Sequence, residues 1–247
     1  LLNTSTFLTL FYKALFLMNF ASELLFDCPG AKGEVIYPTE SYIDPAKSKE
    51  LLKEYALYPT QTHSTNVAIA KNNIDSFPDT DALITFLPGM SIGILTADCV
   101  PILLYSPDIK AVAAIHAGWK GTLGGIVDNA VEILLKHNAK PEKMIAFFGP
   151  SISVSNYEVD NTLALKFKEN GFLNCITYPN GIESKPHIDL QKVNIERLLK
   201  KGLRKENIKR NNNCTLSSKD NNGKPKYQSY RRDGDKSLRN LTMITLK

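Results

Sequence analysis

Cys99 and His116 stand seventeen residues apart, at the outer edges of two apolar runs, in the segment ADCVPILLYSPDIKAVAAIHAGWKG. His63, in QTHSTNV, lies thirty-six residues before the cysteine. A thiolate and two imidazoles are donors that bind zinc, and three of them leave a fourth coordination position open. An open zinc position lowers the pKa of bound water to about 7 and keeps a coordinating thiol deprotonated. The same residues also read as a buried cysteine acting as a small hydrophobe and as histidines hydrogen-bonded at strand ends. A third reading makes Cys99 a nucleophile and His116 its base in a metal-free hydrolase, with backbone N–H groups as oxyanion hole. That pair has no need of His63.

The elements around these residues must hold them rigidly. DALITF (81–86), SIGILTA (91–97), VPILLYS (100–106) and AVAAIHA (111–117) read as strands, separated by turn signals such as LPGM and PDIK. Residues 122–138 change period. Leu123, Ile126, Val127, Ala130, Val131, Leu134 and Leu135 recur at three and four residues, which predicts one amphipathic helix with Thr122 as its N-cap. Further strands are expected at 33–39, 65–71, 143–149, 226–233 and 241–247, and helices at 45–57, 160–170 and 189–201. Pro45 suits a first helical turn, and residues 210–226 read as a polar loop. Strands and helices mix without a βαβ rhythm, which predicts an α+β fold.

A chain of 247 residues, 43% hydrophobic and 22% charged, fits one globular domain and excludes disorder throughout. The net charge of +5 is uneven, because residues 200–239 hold thirteen Lys/Arg against four Asp/Glu. Such a segment is either a solvated face or a seat for an acidic partner. No zinc knuckle, helix-turn-helix or RNA motif accompanies it, so no nucleic-acid partner is expected. Four cysteines at 28, 99, 175 and 214 form no compact framework, which points to reduced thiols and a cytoplasmic protein. The apolar start LLNTSTFLTLFYKALFLMNFA lacks a basic stretch before it, is interrupted by Lys13 and is short for a membrane span. Residues 1–17 are expected to be an upstream extension and 18–247 a single domain, with no membrane partner.

The segments DALIT, TADCVPILL, AAIHAGWKGTLGGIV, GPSISVSNYEV, HIDL, NCT and SYRRD occur in this order. Together they resemble the YfiH-like family, also labelled multicopper polyphenol oxidase or laccase-domain proteins. The resemblance runs from about residue 60 to 245, and its block from Asp81 to Val127 is highly specific. It implies a single layered α/β/β/α domain of mixed sheets, with zinc held by His63, Cys99 and His116, which are then also the catalytic set. It further implies phosphorolysis of adenosine, guanosine, inosine or methylthioadenosine, together with adenosine deamination. The partners so implied are a purine nucleoside and phosphate, and bacterial members are linked to peptidoglycan editing. The fold is shared with a bacterial toxin deamidase of the Cys–His type, which keeps the metal-free hydrolase open. The chain departs from the family in three places. No Arg-x-Gly-Gly turn stands near the N-terminus, Lys120 replaces an arginine, and Leu238-Arg239 replaces Gly-Arg.

The turn AGWKG is expected to seat phosphate. Gly118 and Gly121 allow close backbone approach, the following helix offers free N–H groups, and Lys120 adds charge. A plain tight turn is the alternative. Trp119 stacks on the purine or fills the core. Arg231 and Arg232 are anion clamps by type, Glu158 is a polar group for the cleft or one half of a salt bridge, and Ser229 and Tyr230 are weaker candidates. Asp98 is expected to point away from Cys99 and to orient a neighbouring group. Copper occupies such a site in vitro by its higher affinity. A multinuclear copper oxidase needs more imidazoles than the four at 63, 116, 137 and 187, and His137 is expected at a solvent-facing helix position.

Overall fold

A computed structural model of the chain describes residues 20–39, 44–72 and 76–247. The expected 1–17 extension lies outside them. Strands β1 (Phe20–Cys28) and β2 (Ala31–Pro38) form a hairpin, followed by α1 (Pro45–Leu52), β3 (Val67–Ile69), β4 (Ala82–Thr85) and β5 (Ser91–Thr96). Next come β6 (Val100–Ser106), β7 (Ala111–Ala117), α2 (Trp119–Gly124), α3 (Ile126–Lys136), β8 (Ile145–Phe148) and α4 (Asn161–Glu169). Then follow β9 (Ile176–Thr177), β10 (His187–Ile188), α5 (Leu190–Lys200), β11 (Ile208–Lys209), α6 (Tyr230–Asp233) and β12 (Asn240–Leu246).

Two larger sheets result. One runs β1-β2-β12-β5, with every neighbour antiparallel. The other runs β11-β8-β6-β7-β4-β3, antiparallel except for its outermost pairs. Side chains alternate across each strand, and three apolar layers follow. Ile102, Leu104, Ala113 and Ile115 face α3 and α5, where they meet Ile126, Val127, Val131 and Val193. Leu83, Leu103, Val112 and Ala114 face the other sheet and pack on Ile92, Ile94 and Ile244. Leu52 and Ala56 cover the far side, over Ile36, Leu95, Leu241 and Met243. The order is helices, sheet, sheet, helix: the α/β/β/α single domain of mixed sheets that the family resemblance implies. Both β6 and β7 are buried along their whole length, so their ends are fixed points for side chains that carry chemistry.

Four local expectations need correcting. The single helix over 122–138 is two, because Gly125 takes a left-handed φ of 83° and breaks the ladder. The first begins three residues earlier, so Thr122 lies inside it, accepting from Asn194, and Gly118 is the N-cap. The expected strand 226–233 ends instead as α6. Ser229 caps it by accepting from the Arg232 N–H, and the buried carboxylate of Asp98 accepts from the Arg231 N–H. The helix at 45 stops at Leu52, where i→i−3 bonds from Lys53, Glu54 and Tyr55 close its last turn. Strand β1 has no counterpart in the sequence reading, because a bulge between Leu24 and Phe26 breaks its two-residue alternation.

Candidate functional site

His116, the last residue but one of β7, lies on the face shared by Val112 and Ala114, turned toward the space between the sheets. Asp81, just before β4, lies on the matching face of its own chain segment. Its carbonyl accepts from the His116 N–H at 2.8 Å, and its carboxylate oxygen lies 2.6 Å from His116 Nδ1. The other ring nitrogen of His116 is thereby left for a different partner. Cys99 sits one residue before β6, which pairs with β7 through Val100 and Ala117. His63 comes from the loop before β3, and its Nε2 lies 3.7 Å from Cys99 Sγ. The two imidazoles meet edge to face, with ring centroids 4.8 Å apart. The three ligand atoms lie within 4.8 Å of one another.

Two residues here adopt backbone conformations that L-residues avoid. His63 has φ +62° and Asp98 has φ +89°. Each costs on the order of 1–3 kcal/mol and persists only where neighbours over-determine it. At Asp98 the carboxylate accepts from Thr215 Oγ1 at 2.6 Å and from the Arg231 N–H at 2.6 Å, while its carbonyl accepts from Ile152. Asp98 therefore orients α6, as the sequence suggests. At His63 the flanking N–H groups of Thr62, His63 and Ser64 all point at the Asp81 carboxylate.

Glycine is required at one position close by and fits tightly at a second. A Cβ on Gly118 would lie 2.6 Å from His63 Cδ2 and 3.0 Å from Cys99 Sγ. A Cβ on Gly121 would lie 3.3 Å from the Ser64 carbonyl. The turn after β7 is thus packed directly onto the loop that carries His63.

The electrostatics favour a charged pair. Burial pushes the Cys99 thiol up, but the His116 charge and hydrogen bonds from both imidazoles outweigh it and bring the thiol down to about 6. Burial likewise pushes His116 down, and the Cys99 thiolate and Asp81 outweigh it, raising the imidazole to about 9. Asp81 would be raised by burial; instead His116 and Ser64 hold it well below the usual carboxylate range. The thiolate is the alkylated form. In metal-free protein, iodoacetamide labelling of Cys99 should therefore rise through about pH 6 and level off above about pH 7, against about 8.5 for an ordinary thiol. Peptide mapping separates it from Cys175, whose thiol burial pushes up to about 12. Added zinc should protect Cys99.

The cluster lies in a cavity of about 750 Å³, within the range of small-molecule sites. Tyr58, Trp119, Tyr157 and Tyr230 line it, with three cations, Lys49, Arg231 and Arg239. The Arg231 guanidinium lies 5.5 Å from the Tyr157 ring centroid and donates to the Glu158 carbonyl. Trp119 packs against the helix-side core, as one of its two readings has it, and also lines the cavity.

The remaining sequence candidates fall elsewhere. Lys120 is exposed, with Nζ 5.6 Å from the Trp119 ring, and does not line the cavity. The Glu158 carboxylate pairs with Lys185 at 3.0 Å on the surface. Arg232 donates to Asp233 and to the Tyr227 carbonyl. His137 is exposed at the end of α3, and His187 faces the Val154 carbonyl. Among the described residues, no helix is long and apolar enough to cross a membrane. The sequence reading assigns no role to Asp81, Tyr157 or Lys49. An acid opening the apolar run DALITF is the signal that marks Asp81.

Fold and cluster together define a class: a layered α+β protein with an open three-donor site able to hold a metal. The chain belongs to the family described as multi-copper polyphenol oxidoreductase laccase, whose profile matches residues 45–247. A purine nucleoside phosphorylase of Bacteroides thetaiotaomicron is 33% identical over 242 residues, 92% of this chain and 86% of that protein. An adenosine deaminase from an unknown prokaryotic organism is 36% identical over 199 residues, 76% of this chain and 74% of that protein. A solved Neisseria meningitidis structure aligns with TM-score 0.73 at 26% identity, over 93% of this chain and 99% of that one. Bacillus licheniformis YfiH shares the fold, with TM-score 0.76 at 20% identity over 91% of this chain and 99% of that one.

Proposed function

We propose that this chain is a zinc-dependent purine nucleoside phosphorylase that also deaminates adenosine. The observation that carries the reading is the convergence of His63, Cys99 and His116 within 4.8 Å at a cavity lined by aromatic rings and cations. The relatives named for the two activities support it. The donor set fits the metal, since two imidazole nitrogens and one thiol already favoured as thiolate are zinc ligands. When bound, zinc supplies a Lewis-acidic centre that acidifies water and stabilises developing negative charge. Copper fits the family description, but His137 and His187 stand away from the cluster, and a multinuclear copper centre needs more imidazoles than remain.

The chain's own residues do the rest. The ring faces of Trp119, Tyr157 and Tyr58 offer stacking surfaces to a flat purine. Arg231, with Lys49 and Arg239, compensates the charge of phosphate, while Gly118 keeps the backbone close to the cluster. In phosphorolysis a phosphate oxygen bonds to the anomeric carbon as the bond to the base breaks, and the base leaves with the electron pair. The gain comes from positioning the two reactants and stabilising the departing purine. We place the domain at 18–247, working in the cytoplasm.

Zinc-loaded protein incubated with adenosine decides the matter. Adenine formed only with phosphate is phosphorolysis, and inosine formed without phosphate is deamination. Neither product from protein with full zinc content would sink the proposal. His63→Ala separates this reading from a metal-free Cys–His hydrolase. Loss of bound zinc together with at least about a hundredfold of turnover is expected, whereas a hydrolase relying on Cys99 and His116 would keep its rate after chelation.

A further inference from the structure

One carboxylate reaches both histidines of the cluster. Asp81 is fully buried. It accepts from the N–H groups of Thr62 (3.1 Å), His63 (3.1 Å) and Ser64 (2.7 Å), from Ser64 Oγ (2.8 Å), and lies 2.6 Å from His116 Nδ1. The first four partners shape the turn in which His63 takes its left-handed φ of +62°. The fifth fixes which ring nitrogen of His116 turns toward Cys99. These histidines are brought together by the fold from sites far apart in the chain, and Asp81 is the group they share.

We propose that Asp81 is a positioning residue that sets the separation of the His63 and His116 donors before a metal arrives. The inference rests on the reading that these residues hold a metal. Without the carboxylate, three inward-pointing N–H groups lose their acceptor. The turn then has no reason to hold a φ that L-residues disfavour, and His63 withdraws from Cys99. Asparagine keeps the size but offers one oxygen, and its NH2 group faces donors rather than acceptors. It can serve the turn or His116, not both.

The test is zinc affinity, measured on purified protein by competition with a chromophoric chelator, for wild type, Asp81→Asn, Ser64→Ala and Asp160→Asn. Asp160 caps α4 by accepting from the Leu163 N–H, with no bond to the His63 turn or to His116; asparagine caps as well, so this variant removes a carboxylate charge and nothing else. Asp81→Asn is expected to weaken zinc about 10–100-fold, and to shift the visible spectrum of the cobalt-loaded protein, which reports donor arrangement. Ser64→Ala, which keeps the carboxylate but removes the hydroxyl's bond to it together with the hydroxyl's contacts to the Asn66 N–H and the Asp79 carbonyl, should weaken zinc by about threefold. Asp160→Asn should leave affinity and spectrum unchanged. Wild type that takes up no zinc overturns the metal reading and this inference with it. Wild type that binds zinc, with Asp81→Asn and Ser64→Ala binding as tightly, overturns this inference alone; if Asp81→Asn does not fold, Ser64→Ala decides.

Discussion

Cys99→Ala should lower nucleoside turnover by on the order of a thousandfold, a loss of about 4 kcal/mol in transition-state stabilisation. The thiol is the one sulfur donor of the cluster and lies 3.7 Å from His63 Nε2. Removing it leaves two neutral nitrogen donors, one of them on a strained turn. The side chain is only half-buried, so truncation opens no sealed cavity and the fold should survive by circular dichroism. kcat/KM with adenosine and phosphate, at saturating zinc and with metal content measured, checks the expectation. Turnover within tenfold of wild type would make the thiol a bystander.

Gly118→Ala should be nearly as damaging while adding a single methyl group. The backbone at Gly118 has φ −70° and ψ 175°, which alanine adopts freely, so no conformational penalty arises. The defect is one of space. The new Cβ would lie 2.6 Å from His63 Cδ2 and 3.0 Å from Cys99 Sγ, closer than carbon and sulfur tolerate. The His63 ring has little room to retreat, because its turn is held by Asp81. A displacement of about 1 Å at a reacting centre costs roughly a hundredfold, and a loss of that size is expected with substoichiometric zinc. Gly121→Ala is the graded comparison. Its Cβ would meet Ile126 and the Ser64 carbonyl at 3.3 Å, which small shifts relieve, so a much smaller loss is expected. Equal activity of Gly118→Ala and wild type would show that the cluster does not need this packing.

Strands β6 and β7 are legible residue for residue, because VPILLYS and AVAAIHA are short unbroken apolar runs with a turn signal between them. The three donors are legible as residue types, but their meeting depends on pairings across the sheet that no local pattern encodes. The α2–α3 break is hidden because the apolar stripe of Leu123, Ile126 and Val127 continues across Gly125 with its phase unchanged. KYQSYRRD has strand-like residues, yet its last four turn helical under the Ser229 cap, with a further first-turn N–H taken by Asp98, 133 positions away. Lys120 and Glu158 have suitable charge. What local sequence does not contain is the direction each side chain takes, one over the ring of Trp119 and the other toward Lys185.

The interior place of β12 bears on how the polypeptide reaches this state during synthesis. Residues 240–246 form the middle of the four-stranded sheet, zipped to β2 on one side and β5 on the other. As the chain emerges from the ribosome, β1, β2 and β5 are out early and wait with a gap between them. The helix-facing half can assemble at once, from neighbours such as β6 and β7. Long-separated pairings close slowly, so the nascent protein passes through an interval in which one sheet is complete and the other lacks its keystone. Exposed edges at that stage invite foreign strands, and a chaperone that shields Ile36 and Ile94 until translation passes residue 246 would have its effect there.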